Sequence, residues 1–164
     1  MAIDILKLSN ELIYRAYTMN RNQVRKHMDE LNFRDYIALQ RISQLALSDG
    51  VYSGRAYLKD ISDNMKLSMR QTSKMAEELK NRGLVTWSHD GDGSDGTYLF
   101  ITDLGKELVT KNEEILRKYY GKIIEKYGKE DMIRLLQMMK RLETVMQNEF
   151  EEMEGEEKDE EFSE

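Results

Sequence analysis

Between Ser68 and Gly83 the chain carries a helix whose two ends are both written into the sequence. Ser68 stands at the start with Gln71 three residues on. At that spacing a serine hydroxyl accepts from the N3 amide while the glutamine side chain reaches back to the cap. Gly83 stands where a helix ends in the left-handed conformation, with Lys80 and Arg82 near the negative end of the dipole. Thr72, Met75, Ala76 and Leu79 fall on one face at helical spacing. Met69, Arg70, Gln71, Ser73 and Lys74 lie off that stripe and close to the N-terminus.

The flanks fix the context of this helix. Leu58 to Met65 reads as a short helix with Leu58, Ile61 and Met65 inward, and Lys66-Leu67 as the turn that follows. Beyond Gly83, Leu84 to His89 alternates in strand fashion. Asp90 to Gly96 is a hairpin loop of aspartate, glycine and serine, and Thr97 to Ile101 is the returning strand. Val51 to Tyr57 reads as a loop, with a short strand near Ala56 and Tyr57. The stretch from Leu58 to Thr102 is therefore helix, turn, helix, strand, loop, strand.

Long amphipathic helices are expected on either side. Ile5, Leu8, Leu12, Ile13, Ala16, Met19, Val24 and Met28 predict one helix over residues 1 to about 30. Asn32 is the N-cap of a second, carrying Tyr36, Leu39 and Ile42, which Ser48-Asp49-Gly50 ends. Thr102 caps a helix running to Tyr127, Gly128 breaks it, and a last helix carries Met132, Leu135, Met139, Leu142, Met146 and Phe150 along one seam. Proline is absent, which removes the commonest helix interrupter. The expected class is mainly α with a small β-hairpin. It divides into an N-terminal helix (1–32), a central lobe (33–102), C-terminal helices (103–150) and a disordered acidic tail (151–164).

Charge has to be divided before it says anything. The 164 residues carry a formal net charge of −6, yet the stretch from Glu151 holds nine acidic residues against one lysine. Without it the body is slightly basic, and Arg55 to Ser88 has seven Lys/Arg against four Asp/Glu. Cysteine is absent, which excludes disulfides, thiolate metal sites and cysteine redox sensing. No apolar run approaches the roughly 20 residues a membrane helix needs. The expectation is a soluble, cytoplasmic protein with no membrane partner.

The order of elements resembles the MarR (multiple antibiotic resistance regulator) family of winged helix-turn-helix transcriptional regulators. The resemblance rests on Leu67-Ser68, Met75, Leu79, Arg82-Gly83-Leu84-Val85, and Ile101-Thr102 with Gly105 after the wing. It spans residues 1 to about 150, with its motifs in the central 45 or so. It implies a homodimer, held through the first helix and the last two, that binds a pseudo-palindromic operator as a repressor and is released by a small-molecule effector. One departure stands out. The family's wing carries an arginine near its tip, whereas here the tip holds Asp90, Asp92 and Asp95.

Candidate contacts follow from the chemistry of base edges and phosphates. Base readout falls to Met69, Arg70, Gln71, Ser73 and Lys74: Arg70 suits guanine, Gln71 suits adenine unless the cap occupies it, and Met69 suits a thymine methyl. Backbone candidates are Arg55, Lys59, Lys66, Ser68, Arg82, Ser94 and Thr97. Tyr14, Tyr17, Met28, Tyr36, Tyr119 and Tyr120 are candidates for an effector pocket, the plainer reading being core and interface. Asp90, Asp92 and Ser94 match the first half of a calcium loop, but Asp95 and Ile101 stand where it needs glycine and glutamate, so no metal is expected. His27 and His89 are far apart in sequence. No nucleophile–base pair or phosphate-binding glycine loop is present, so neither enzyme activity nor a cofactor is expected. The competing reading is a winged-helix module that docks proteins and does not bind DNA specifically.

Overall fold

The computed structural model describes residues 4–21, 23–47, 55–90 and 96–161. Among these residues six α-helices and three strands follow one another as α1 (Ile5–Asn20), a 3-10 turn (Gln23–His27), α2 (Phe33–Ala46), β1 (Ala56–Tyr57), α3 (Leu58–Met65), α4 (Met69–Asn81), β2 (Val85–His89), β3 (Thr97–Ile101), α5 (Asp103–Tyr127) and α6 (Lys129–Glu161). The chain divides into two compact units, residues 1–117 and 118–164, with the boundary inside α5.

Every helix of the first unit that carries a cap takes it from the sequence. Asp4 accepts from the Lys7 amide at α1, and Asn32 from the Asp35 amide at α2. At α4 both arms of the Ser68–Gln71 capping box are formed. α3 lacks a side-chain cap and ends at Lys66, which adopts the left-handed conformation at φ 53°. The Leu67 amide then bonds to the Ser62 carbonyl, and the Ser62 hydroxyl to the Leu67 carbonyl. α4 ends the same way at Gly83, φ 72°, with the Leu84 amide on the Leu79 carbonyl and the Gly83 amide on that of Lys80.

These turns fold the stripes onto one core. Leu39 and Ile42 from α2, Ile61 from α3, Met75 and Leu79 from α4, and Leu84, Val85 and Leu99 from the sheet are buried together, with Leu108 and Val109 of α5 at its edge. The sheet is antiparallel in the order β1-β3-β2, pairing Ala56 with Leu99 and Val85 with Ile101. The short strand at Ala56 and Tyr57 therefore adds a third strand to the hairpin.

Two expectations are corrected. The first thirty residues are not one helix, because α1 stops at Asn20, where the Arg21 amide turns back to the Met19 and Thr18 carbonyls. Asparagine is a weak helix former, and two of them flank this point. The break lets Val24 become buried, whereas α1 itself buries no residue. Glu30, at φ 54°, completes the reversal. The side chain of Asn112, fully buried on α5, holds it: its Oδ1 accepts from the Asp29 amide, and its Nδ2 donates to the Asp29 and Leu108 carbonyls.

The second correction concerns the tail. α6 continues past Phe150 to Glu161. Its composition forbids a core, and the described side chains from Glu151 to Glu156 are exposed, but glutamate, methionine and lysine are good helix formers. Absence of a core is not absence of a helix.

The junction between the sheet and α5 is closely packed. The Thr102 amide donates to the Leu84 carbonyl, and the Thr102 hydroxyl donates to the Gly83 carbonyl while accepting from the Gly105 amide. A Cβ on Gly105 would lie 2.4 Å from the Leu84 carbonyl oxygen and 2.8 Å from the Ile101 side chain. Gly105→Ala should therefore cost about 1–3 kcal/mol in urea unfolding. Gly121→Ala, at a helical glycine whose Cβ would meet nothing within 4 Å, should gain about 0.5–1 kcal/mol in the same assay.

Candidate nucleic-acid interface

Burial of Thr72, Met75, Ala76 and Leu79 turns the opposite face of α4 outward. Met69, Arg70, Ser73 and Lys74 are exposed on it, one helical turn apart in pairs, and the Arg70 and Lys74 side chains make no ion pair or hydrogen bond among the described residues. Glu77 continues the same face. It was not singled out from the sequence, although it lies four residues beyond Ser73 and the helical period alone places it there. A cleft of ≈ 430 Å³ runs between this face and the hairpin, walled on the far side by Trp87, His89 and Thr97 and floored by Leu58. Such a face can offer a guanidinium, an ammonium, a hydroxyl, a carboxylate and a thioether to base edges.

The structure separates the other candidates by what already holds them. Gln71 spends its Oε1 on the Ser68 amide and Ser68 its hydroxyl on the Gln71 amide, so both are occupied in the cap. Thr97 is only 6% exposed, and its hydroxyl pairs with His89 Nδ1 at 2.9 Å. Lys59 and Lys66 are exposed. Ser94, with Asp92 and Asp95 of the calcium-loop reading, lies outside the described residues.

Arg82 buttresses the fold. Its Nη1 pairs at 2.8 Å with Asp35, a carboxylate 2% exposed in the first turn of α2, and its Nη2 donates to the Glu30 carbonyl. Arg34 shares the same carboxylate and also reaches Glu78 of α4. These hydrogen bonds, with Glu78 foremost and Asp35 next, raise the pKa of Arg34 against the opposing effect of desolvation. A charge buried this deeply needs such partners, and they tie the C-terminal part of α4 to α2.

Arg55 is also engaged. Its guanidinium lies over the Tyr98 ring at 5.0 Å and pairs with Asp90, while Tyr57 donates its hydroxyl to the same carboxylate at 2.7 Å. The hydrogen bond to Tyr57, helped by the charge of Asp90, raises the pKa of Arg55 in spite of desolvation. Lys80 sits over the Trp87 ring at 4.2 Å. Sequence spacing gave no sign of the Arg55–Asp90 pair, whose partners are 35 residues apart.

The six effector-pocket candidates are divided between the two units. Met28 and Tyr36 pack against the core of the first unit, and burial, with the Glu113 charge, pushes the Tyr36 hydroxyl above its ordinary pKa. Tyr14 and Tyr17 are exposed on α1, where Arg15 and Arg21 lie over their rings. Tyr119 and Tyr120 belong to the second unit and meet edge to face at 5.0 Å. Among the described residues no group of three His, Cys, Asp or Glu side chains is placed to hold a metal ion, and no helix is long and apolar enough to cross a membrane.

Helix, turn, capped helix and a three-stranded wing define a winged helix-turn-helix. The chain shares that fold with regulators of the MarR family. It is similar to the MarR family regulator NMB1585 from Neisseria meningitidis, at 21% identity and a TM-score of 0.58 over 93% of this chain and 99% of that one. It is similar to S. aureus MepR, solved in complex with DNA, at 12% identity and a TM-score of 0.67 over 84% and 97%. It is likewise similar to the PcaV transcriptional regulator from Streptomyces coelicolor, solved with its natural ligand, at 16% identity and 0.63 over 87% and 96%. No family model and no curated protein matches the sequence.

Arg82→Ala should lower stability by about 1–2 kcal/mol, discounted for its partial exposure, because Arg34 stays behind to satisfy Asp35. Denaturant unfolding checks it. Asp35→Ala removes the shared partner and should cost more than Arg82→Ala.

Proposed function

We propose that the protein is a sequence-specific DNA-binding transcriptional regulator of the MarR type, non-enzymatic, acting as a homodimer on a pseudo-palindromic operator. The observation that carries this reading is the exposed α4 face, on which Arg70 and Lys74 stand unpaired among the described residues while the opposite face is locked into the core. Arg70 is the bidentate guanine reader, Met69, Ser73 and Lys74 its neighbours on the groove floor, and Lys59 and Lys66 the phosphate anchors. Gln71 and Ser68 act through the cap, which sets where Arg70 points. The DNA complex of the similar S. aureus MepR supports the partner, and the liganded PcaV supports a small-molecule effector that favours one arrangement of the reading helices over another.

Dimerisation is supported by the outer face of α1. Ile5, Leu8, Leu12 and Ile13 are 45–75% exposed there, and the helix buries nothing. α6 likewise carries Leu136, Met139, Leu142, Val145, Met146 and Phe150 exposed along one seam. Apolar faces of that extent on a water-borne chain call for a partner surface. In a two-fold dimer two α4 helices would enter successive major grooves about 34 Å apart.

Fluorescence-anisotropy titrations on fragments upstream of the protein's own gene should give a complex that weakens steeply with salt, since phosphate neutralisation supplies much of the affinity. Arg70→Ala should relax preference between sites by roughly 1–3 kcal/mol at one position of each half-site. An affinity without salt dependence or sequence preference would favour the protein-docking module instead. Analytical ultracentrifugation at micromolar concentration should return a dimer, and a monomer would overturn the assignment of the α1 and α6 faces.

A further inference from the structure

The outer face of the wing holds an arrangement that the reading above does not use. β1 lies beside β3 with Tyr57 opposite Tyr98, so Arg55, two residues before Tyr57, stands on the same face of the sheet. Tyr57, Tyr98 and Phe100 form a continuous aromatic shelf there, with ring centroids 5.7 and 5.2 Å apart. The Arg55 side chain does not stand off this shelf into solvent. It is laid along the sheet over the Tyr98 ring toward the loop end of the hairpin, where it meets Asp90. The Asp90 amide bonds to the Gly96 carbonyl, so that carboxylate sits on the last closed rung before the turn. Tyr57 holds it from the side through its hydroxyl.

We propose that Arg55 is the wing's phosphate-contacting cation, delivered to the hairpin from β1, and that Asp90 restrains it in the free protein and so limits affinity. The proposal rests on the DNA-binding reading. Arg55 and Asp90 are each 37% exposed, which leaves the pair open to a competing anion. A phosphate presented at the wing can accept from the guanidinium in place of the carboxylate, which takes it through a single Nη1 contact. The aromatic shelf keeps the guanidinium at the wing surface when the acid lets go, so little side-chain order has to be created on contact. Asp90 is then left with the Tyr57 hydroxyl, a neutral donor that needs no exchange of charge.

The test is a mutant cycle read in DNA titrations of the full chain. Asp90→Asn keeps an acceptor for Tyr57 and removes the charge. It should tighten binding roughly two- to fivefold for each wing engaged, the scale of an exposed ion pair. It should also steepen the log–log salt dependence by about 0.9 for each added phosphate contact. In an Arg55→Ala background the same substitution should gain nothing. An equal gain in both backgrounds would mean simple removal of a negative charge and would overturn the proposal, as would unchanged affinity in Asp90→Asn. The clamp is also read without DNA: modification of Arg55 by phenylglyoxal, followed by peptide mass spectrometry, should be faster in Asp90→Asn than in the unmodified chain. If Arg70→Ala loses site preference while the Asp90 cycle is flat, the recognition-helix reading stands and this one falls. If the unmodified chain forms no salt-sensitive complex, both fall together.

Discussion

Asp35 is the constraint on which the geometry of α4 depends. A carboxylate 2% exposed in the first turn of a helix is costly to bury unless its oxygens are met by donors. Arg82 and Arg34 meet them, the first arriving from the far end of α4, and the second, the neighbour of Asp35 in the chain, reaching on to Glu78. The same Arg82 guanidinium takes the Glu30 carbonyl at the left-handed reversal before α2. Satisfying one buried charge therefore sets the position of α4 against α2 and closes the turn that brings the chain out of its 3-10 segment. Asn112 fixes the other side of that turn through the Asp29 backbone, which adds α5 to the same assembly.

With its C-terminal end held in this way, α4 is positioned at its other end by the cap and beyond its exit by a crossing. Gly83 permits the left-handed step, Leu84 drops into the core, and the Leu84 carbonyl then becomes the surface on which α5 begins. Thr102 bonds both Gly83 and Leu84, and Gly105 is glycine because that carbonyl leaves no room for a Cβ. Two short motifs separated by the entire wing are thus halves of a single contact. The hairpin between them is fixed at its base regardless of what its loop carries.

Much of this was legible in the sequence, for a definable reason. Ser68 with Gln71, Gly83 with Lys80, and Thr102 with the Gly105 amide act over three residues, so this chemistry is visible as spacing. The buried stripe of α4 was equally plain, because helical period decides it. The structure differed where the deciding partner is remote. Arg82 looks like a surface cation at a helix end until Asp35, 47 residues away, claims it. Thr97 looks like a wing hydroxyl until the antiparallel register sets it against His89. The break after Asn20 was missed because Val24 and Met28 keep a helical spacing with α1. Only the presence of a core shows that Val24 belongs inside it and Ile5 does not. The helical tail is not legible as a stripe, because a segment without a core carries no apolar period even where its residues favour helix.

The charge census shows the same limit in a form that bears on function. Seven cations stand between Arg55 and Ser88, but what matters at an anionic surface is which of them are uncommitted. Arg82 is spent on a buried acid, Arg55 on Asp90, and Lys80 on the Trp87 ring. Arg70 and Lys74 are the pair left facing outward on one side of α4, four residues apart, in the turn that the capping box holds in register. Lys59 and Lys66 stand exposed off α4, and the pairing of the other three leaves its outward face with few charges but defined ones. A sparse, positioned set favours discrimination over indiscriminate attraction, because each unplaced cation would add affinity for every phosphate backbone alike.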